Sequence, residues 1–214
     1  MKKVFLIGDS IRKGYDKYVK LALADTADVR YPEENCRFAQ YVLRNFGDWL
    51  KRAEFDGEPD LIHFNVGLWD CLEQYGEGML TPPDFYAAFM ERICARIRRL
   101  CPTAKVIFAT YTPVNEAGFN DPGQFVRYNR NIEAFNTIAV ETALRHGFEI
   151  NDLYGLLKDK PLSFHSDATH FYTKAATEAI TNQTVAHICR ALDITAAELD
   201  YDALFGEEKN VLGI

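Results

Sequence analysis

Short apolar segments alternate with longer segments of helical periodicity along this chain. The apolar segments are typical of buried strands, and the spacing of apolar residues between them predicts amphipathic helices. A β-α-β-α order predicts an α/β fold, in which a parallel sheet is covered by helices on both faces. The predicted strands are residues 4–7, 28–31, 61–66, 105–110 and 148–150, and the predicted helices are residues 13–24, 38–53, 82–100, 125–146 and 173–192.

The same pattern indicates where a functional site should lie. In open parallel sheets, ligands bind beyond the carboxyl ends of the strands. A long, mostly polar loop at residues 112–123 follows a predicted strand, so we expect it at the rim of the site. With 214 residues, 48% of them apolar, the chain is long enough for a single domain spanning residues 1–214. Residues 193–214 show little periodicity and are predicted to form a tail packed on the outside.

Charge and cysteine content exclude several classes of protein. The net charge of −7 argues against a nucleic-acid partner, because binding to phosphates needs clustered Lys and Arg. The apolar run after Met1-Lys2-Lys3 is too short for a signal peptide, and no segment approaches the roughly 20 apolar residues of a membrane span. Five scattered cysteines without a CxxC pair favour reduced thiols over disulfides or structural zinc. We therefore predict a cytoplasmic protein without membrane, nucleic-acid, metal or cofactor partners.

Two motifs at opposite ends of the chain carry candidate chemistry. Gly8-Asp9-Ser10 directly follows the first predicted strand, which puts Ser10 in a strand-to-helix turn. A serine hydroxyl is weakly nucleophilic unless a base accepts its proton. Asp167 and His170 stand just before the last predicted helix, at a spacing that allows the carboxylate to orient the imidazole. Each motif alone is common in turns; together they predict Ser10 as nucleophile, His170 as base and Asp167 as its orienter.

These motifs resemble those of the SGNH/GDSL hydrolase family. Gly8-Asp9-Ser10 is similar to its first block, Asp167-Ala168-Thr169-His170 to its last, and Gly67-Leu68-Trp69-Asp70 to its Gly-x-Asn-Asp block. The similarity spans residues 4 to about 190. The resemblance implies a flavodoxin-like three-layer α/β/α sandwich with a five-stranded parallel sheet. It also implies metal-free ester hydrolysis through an acyl-enzyme.

The chain departs from the family pattern in the groups that would hold the oxyanion. Cys36 stands where the second block has a Gly, although its backbone N–H is retained as a donor beside that of Ser10. Trp69 stands where the third block has an Asn, and the loss of one oxyanion donor costs about 2.7–4 kcal/mol. The amide of Asn65 or that of Asn35 can replace it, and the sequence does not choose between them.

The predicted substrate is a small ester. We expect Asp9, Arg37 and Trp69 to contribute to its binding, with Arg37 either binding an anionic group or pairing with Glu33 or Glu34. A polar rim, scattered aromatic residues and the lack of a long apolar lid favour an O-acetyl or similar short acyl group on a carbohydrate. Lysophospholipase or thioesterase activity is an alternative within the family. A catalytically silent carbohydrate-binding protein on the same fold is an alternative from another class.

Overall fold

A computed structural model of the chain describes residues 1–119 and 125–207. Five parallel strands form the central sheet, in the order β2-β1-β3-β5-β7. A separate antiparallel pair, β4 with β6, lies outside it. The strands are β1 (Lys2–Ile7), β2 (Ala27–Arg30), β3 (Leu61–Phe64), β4 (Glu73–Gln74), β5 (Lys105–Ala109), β6 (Phe125–Val126) and β7 (Glu149–Asn151).

Helices cover the sheet and complete an α/β fold of three layers. Helices α3, α4 and α5 pack side by side, whereas α2 packs against α7, which also contacts α6 and α8. The helices are α1 (Ser10–Lys13), α2 (Asp16–Ala22), α3 (Ala39–Arg52), α4 (Pro83–Leu100), α5 (Asn129–Arg145), α6 (Leu153–Leu157), α7 (Lys174–Leu192) and α8 (Tyr201–Glu207). Among the described residues, no helix has the length and hydropathy needed to cross a bilayer.

The core lies on both faces of the sheet. Strand β3 is buried along its whole length, and β1 is buried from Val4 to Ile7. Continuous apolar strands of this kind are expected in a parallel sheet with helices on both sides. His63 is the polar exception in β3, and its Nε2 lies 3.1 Å from Asn151 Nδ2 in β7. Burial lowers the pKa of His63 to about 3, so this imidazole is neutral.

The sheet agrees with the sequence prediction, whereas two predicted helices and the predicted tail need correction. The predicted helix 13–24 is interrupted because Tyr15, with φ of −130°, leaves the helical region between α1 and α2. The predicted helix 125–146 begins only at Asn129, because β6 pairs with β4 instead. The tail from residue 193 contains α8, which packs on α7. Residues 120–123 of the predicted loop and 208–214 of the tail lie outside the described residues.

Candidate active site

Ser10 lies in the turn that follows strand β1, at the first position of α1. Asp9 caps this helix: its Oδ1 accepts a hydrogen bond from the Ile11 N–H at 3.0 Å and one from Asn65 Nδ2 at 3.1 Å. A Cβ on Gly8 would stand 1.9 Å from Asn65 Oδ1, so the close approach of these two segments requires glycine there. The turn therefore holds the Ser10 backbone in one position.

His170 contacts both Ser10 and Asp167. Its Nε2 lies 2.9 Å from Ser10 Oγ, and its Nδ1 lies 2.7 Å from Asp167 Oδ2. Asp167 Oδ1 also accepts the N–H groups of Thr169 at 2.7 Å and His170 at 2.8 Å. Partial burial acts to raise the pKa of Asp167, but the hydrogen bonds from His170 and Thr169 outweigh it and lower that pKa. Asp167 is thus held as a carboxylate beside the imidazole.

Two residues that the sequence analysis did not single out stabilise the Ser10 turn. Tyr172 donates a hydrogen bond from its hydroxyl to the Ser10 carbonyl at 2.7 Å, and its ring stacks on His170 with centroids 4.7 Å apart. Arg12 is buried, pairs with Asp16 and donates to the Glu34 carbonyl at 2.8 Å. Both side chains tie the Ser10 turn to a neighbouring loop.

A cavity of about 580 Å³ opens beside Ser10 and His170. It is lined largely by aromatic and aliphatic side chains, together with the catalytic candidates and one arginine. The described part of the loop from residue 112 contributes to its wall, as the sequence predicted for this loop. The lining residues are Ser10, Trp69, Leu72, Gln74, Gly118, Phe119, Phe125, Arg127, Asp167, Ala168, Thr169 and His170.

The four predicted oxyanion donors differ in the hydrogen bonds that they already form and in their position relative to the cavity. The Ser10 N–H is at a helix N-terminus, where backbone N–H groups lack an intrahelical partner. The Cys36 N–H, by contrast, already donates to the Gly8 carbonyl at 3.2 Å, so its predicted role is not supported. Asn65 is buried and its Nδ2 donates to Asp9, while Asn35 Oδ1 accepts the Arg37 N–H at 2.8 Å. Neither amide lines the cavity.

Two of the three predicted substrate contacts need correction. Asp9 is completely buried and does not line the cavity, and burial raises the pKa of its carboxyl group. Arg37 is exposed, with its guanidinium 5.1 Å from the centre of the Tyr41 ring, and it forms no ion pair with Glu33 or Glu34. Trp69 lines the cavity as expected. Asp9 therefore shapes the turn, and Arg37 belongs to the outer surface.

Arg127 is the cavity residue that sequence reasoning missed most clearly. The sequence predicts Arg127 in the first turn of a helix over residues 125–146. The structure puts it directly after β6, buried in the wall of the cavity. In the part of the chain that the structure describes, no group of three or more His, Cys, Asp or Glu residues could hold a metal ion.

A five-stranded parallel sheet with helices on both faces and a serine beyond its first strand is the arrangement of an SGNH-type hydrolase. The model of the GDSL-like lipase/acylhydrolase family matches residues 6–175. The chain belongs to this family, whose members hydrolyse ester bonds, and it is an enzyme of that class. No curated protein sequence matches it significantly.

Solved structures share the fold. The lipase/acylhydrolase from Enterococcus faecalis is 18% identical, with a TM-score of 0.69 over 93% of this chain and 100% of that one. The acetyl xylan esterase AlAXEase is 17% identical, with a TM-score of 0.66 over 87% of this chain and 99% of its own. TesA is 16% identical, with a TM-score of 0.64 over 89% of this chain and 99% of its own. At such identities the likeness establishes the fold alone.

Proposed function

We propose that this enzyme hydrolyses small acyl esters with Ser10 as nucleophile, His170 as general base and Asp167 as the group that orients it. The observation that carries the proposal is the continuous contact from Asp167 Oδ2 through His170 to Ser10 Oγ, at 2.7 and 2.9 Å. These lengths are those of hydrogen bonds, and a base must reach its proton at such a distance. Asp167 favours the tautomer with the proton on Nδ1, which leaves Nε2 free to accept the serine proton.

The reaction proceeds in two halves. Ser10 Oγ attacks the ester carbonyl carbon while Nε2 of His170 takes the hydroxyl proton, and the tetrahedral oxyanion collapses as the alcohol leaves with that proton. Water then attacks the acyl-Ser10 ester, again losing a proton to Nε2, and the second collapse returns the proton to Ser10 Oγ. The products are the alcohol and the carboxylic acid, and the enzyme is regenerated.

The oxyanion needs donors that are already oriented before the reaction. We propose the Ser10 N–H as one of them, since it lies in the first turn of α1, where backbone N–H groups lack an intrahelical partner. Asn35 and Asn65 do not line the cavity, so either amide must reorient to supply the donor that Trp69 does not. Asn35→Ala and Asn65→Ala should separate them: loss of the true donor lowers kcat by about 10²–10³-fold with little change in KM.

The proposed substrate is an O-acetyl or similar short acyl ester of a carbohydrate. Trp69, Phe119 and Phe125 line the cavity, and aromatic side chains of this kind can pack against a sugar ring. The fold is shared with an acetyl xylan esterase, which makes acetylated carbohydrate a reasonable first substrate to test. Lysophospholipase and thioesterase activities are the alternatives, and both demand room for a long acyl chain.

Three measurements test this function. Labelling with a fluorophosphonate followed by peptide mapping should mark Ser10, and hydrolysis of p-nitrophenyl esters should be fastest for acetate and decline with chain length. Acetylated oligosaccharides should release acetate. Binding of those oligosaccharides without labelling or hydrolysis would favour the silent binding protein that the Trp69 departure suggests. A preference for long chains would favour the lysophospholipase or thioesterase alternative.

We also propose a cytoplasmic location. All five cysteines are free thiols, and four of them are buried. Free thiols are usual in reducing compartments and uncommon in secreted domains. Fractionation of cells that express the native gene should place the protein with cytoplasmic markers.

A further inference from the structure

Arg127 spans the two turns that flank the cavity. Its Nε donates to the Leu68 carbonyl at 2.7 Å, next to Trp69. Its Nη1 donates to Thr169 Oγ1 at 3.3 Å, next to His170. The guanidinium is thereby fixed by two hydrogen bonds, and the side chain lines the same cavity as Ser10.

Among the described residues, no carboxylate lies within ion-pair distance of the Arg127 guanidinium. Arg127 is only 7% exposed, and both of its acceptors are uncharged. Among residues 1–119 and 125–207, no carboxylate forms an ion pair with it, and no acceptor is found for its Nη2. Burial lowers the pKa of Arg127, while the more distant Asp9 and Asp167 act to raise it. Burying a charge without a partner costs free energy, so natural proteins usually provide one.

We propose that Arg127 binds a carboxylate carried by the ester substrate. This proposal rests on the proposed esterase function and specifies its substrate as an acid-bearing ester, for example the acetyl ester of a sugar acid. Arg127 Nη2 supplies a charge-assisted hydrogen bond, which is stronger than a bond between neutral groups. The aromatic wall residues Trp69 and Phe125 lie beside it in the same cavity.

The local charge favours a carboxylate over a phosphate dianion. Arg127 is the single Arg or Lys among the described residues that line the cavity, and Asp167 lies in the same wall. One guanidinium near carboxylates offsets one negative charge on a ligand and not two. A monoanion therefore adds less uncompensated negative charge to this partly enclosed space than a dianion does.

The test compares matched esters that differ in one charge. 4-Acetoxybenzoate carries the carboxylate on the alcohol side, and methyl 4-acetoxybenzoate is its neutral partner. Phenyl hydrogen succinate carries it on the acyl side, and phenyl methyl succinate is the neutral partner. In one of these pairs, we expect the wild-type enzyme to favour the acid over its neutral partner by about tenfold or more in kcat/KM. The pair that shows the preference tells on which side of the ester the carboxylate lies.

Substitution of Arg127 should remove that preference. Arg127→Gln should lower the acid-to-neutral ratio of kcat/KM by about tenfold, whereas Arg127→Lys should retain part of it. Arg130→Gln is the matched control, because Arg130 is exposed and its loss changes the net charge equally. A ratio that is unchanged in Arg127→Gln overturns the proposal. An equal loss for the acid and its neutral partner would instead identify Arg127 as an oxyanion or positioning group.

A binding measurement does not depend on hydrolysis or on the variant folding. Calorimetric titration of the wild-type enzyme should show 3-phenylpropionate binding at least about fivefold more tightly than neutral 3-phenylpropionamide. Equal affinities would overturn the proposal even if Arg127→Gln cannot be produced. Selective binding of the acid without labelling of Ser10 or any hydrolysis would leave the anion site standing and would reject the esterase function.

Discussion

His170 Nε2 lies 2.9 Å from Ser10 Oγ, although 160 positions separate the two residues in the sequence. The contact is supported on both sides: Asp9 and Tyr172 fix the Ser10 turn, and Asp167 fixes the imidazole. Because each group is held by hydrogen bonds before any substrate binds, little reorganisation is needed to begin the proposed reaction.

Replacement of the candidate nucleophile should abolish hydrolysis without unfolding the protein. Ser10→Ala removes the hydroxyl and leaves the cap at Asp9 intact, so the free energy of unfolding should change by no more than about 0.5 kcal/mol. Hydrolysis of p-nitrophenyl acetate and thermal melts provide the two readouts. Ser163→Ala is the control, since Ser163 is exposed and does not line the cavity. Retention of more than a few per cent of the activity would exclude Ser10 as nucleophile.

The double variant tests whether Ser10 and His170 act together. We expect Ser10→Ala, His170→Ala and their combination each to lose about 10³-fold or more in kcat, with the combination no worse than either single variant. Asp167→Asn should lose less, because the His170 ring keeps its stacking contact with Tyr172. Additive losses would contradict the proposed triad.

Alkylation of thiols should leave the activity intact. Burial raises the pKa of Cys36 and Cys101 to about 11 and that of Cys71 and Cys94 to about 12. At pH 7.5 almost none of these thiols is ionised, and the thiolate is the form that reacts. Mass spectrometry after iodoacetamide treatment should find modification at Cys189, the half-buried thiol, at most. Inactivation that accompanies labelling of Cys36 would point to a cysteine nucleophile.

Stability should depend on the protonation of Asp70. Its two oxygens accept hydrogen bonds from the Ala39 N–H at 2.9 Å and the Thr81 hydroxyl at 2.8 Å, and burial raises its pKa to about 6. The folded state therefore holds this proton more tightly than the unfolded chain does. Its contribution to the free energy of unfolding is full below about pH 4 and declines as the pH rises through 6.

The Asp70 variants separate this effect from other titrations. The free energy of unfolding of the wild-type protein, relative to Asp70→Asn, should decrease between pH 4 and 7 in urea titrations. Asp70→Ala leaves two buried donors without an acceptor and should cost about 1–3 kcal/mol for each of them. A wild-type-minus-Asn difference that is flat over this pH range would show that Asp70 does not titrate there.

The sheet and the three catalytic candidates are predictable because local pattern determines them. Each buried strand is a short apolar run, and a parallel sheet brings the residues after its strands to one edge. Ser10 lies in the turn after β1, and Asp167 and His170 share one turn before α7. Once the strand order is known, the approximate place of all three residues in the fold follows. The contact between Asp167 and His170 is likewise local, since the hydrogen bonds of the Asp167 carboxylate lie within three positions of it.

The role of Arg127 could not be predicted, because it depends on a pairing distant in sequence. Phe125-Val126-Arg127-Tyr128 fits a helix start as well as a strand. The choice is made by β4, whose Glu73 and Gln74 pair with Val126 and Phe125. Similarly, the sequence does not show in which direction the polar groups of Asp9 and Cys36 point. In the structure, the Asp9 carboxyl group and the Cys36 N–H both form their hydrogen bonds within the Ser10 turn.

Because Ser10 and His170 are far apart in the sequence, they are made at different times during protein synthesis. Strand β1 finds both of its neighbours, β2 and β3, within the first 64 residues, whereas His170 emerges after all five strands of the sheet. Contacts between residues far apart in sequence form slowly, and a domain generally folds as a unit. At about 5–20 residues per second, His170 is made roughly 5–20 s after β3, so Ser10 lacks its proposed base during that interval. If His170 is the base, we expect hydrolytic activity to appear only when the segment before α7 docks, so recovery of activity on refolding should report that docking.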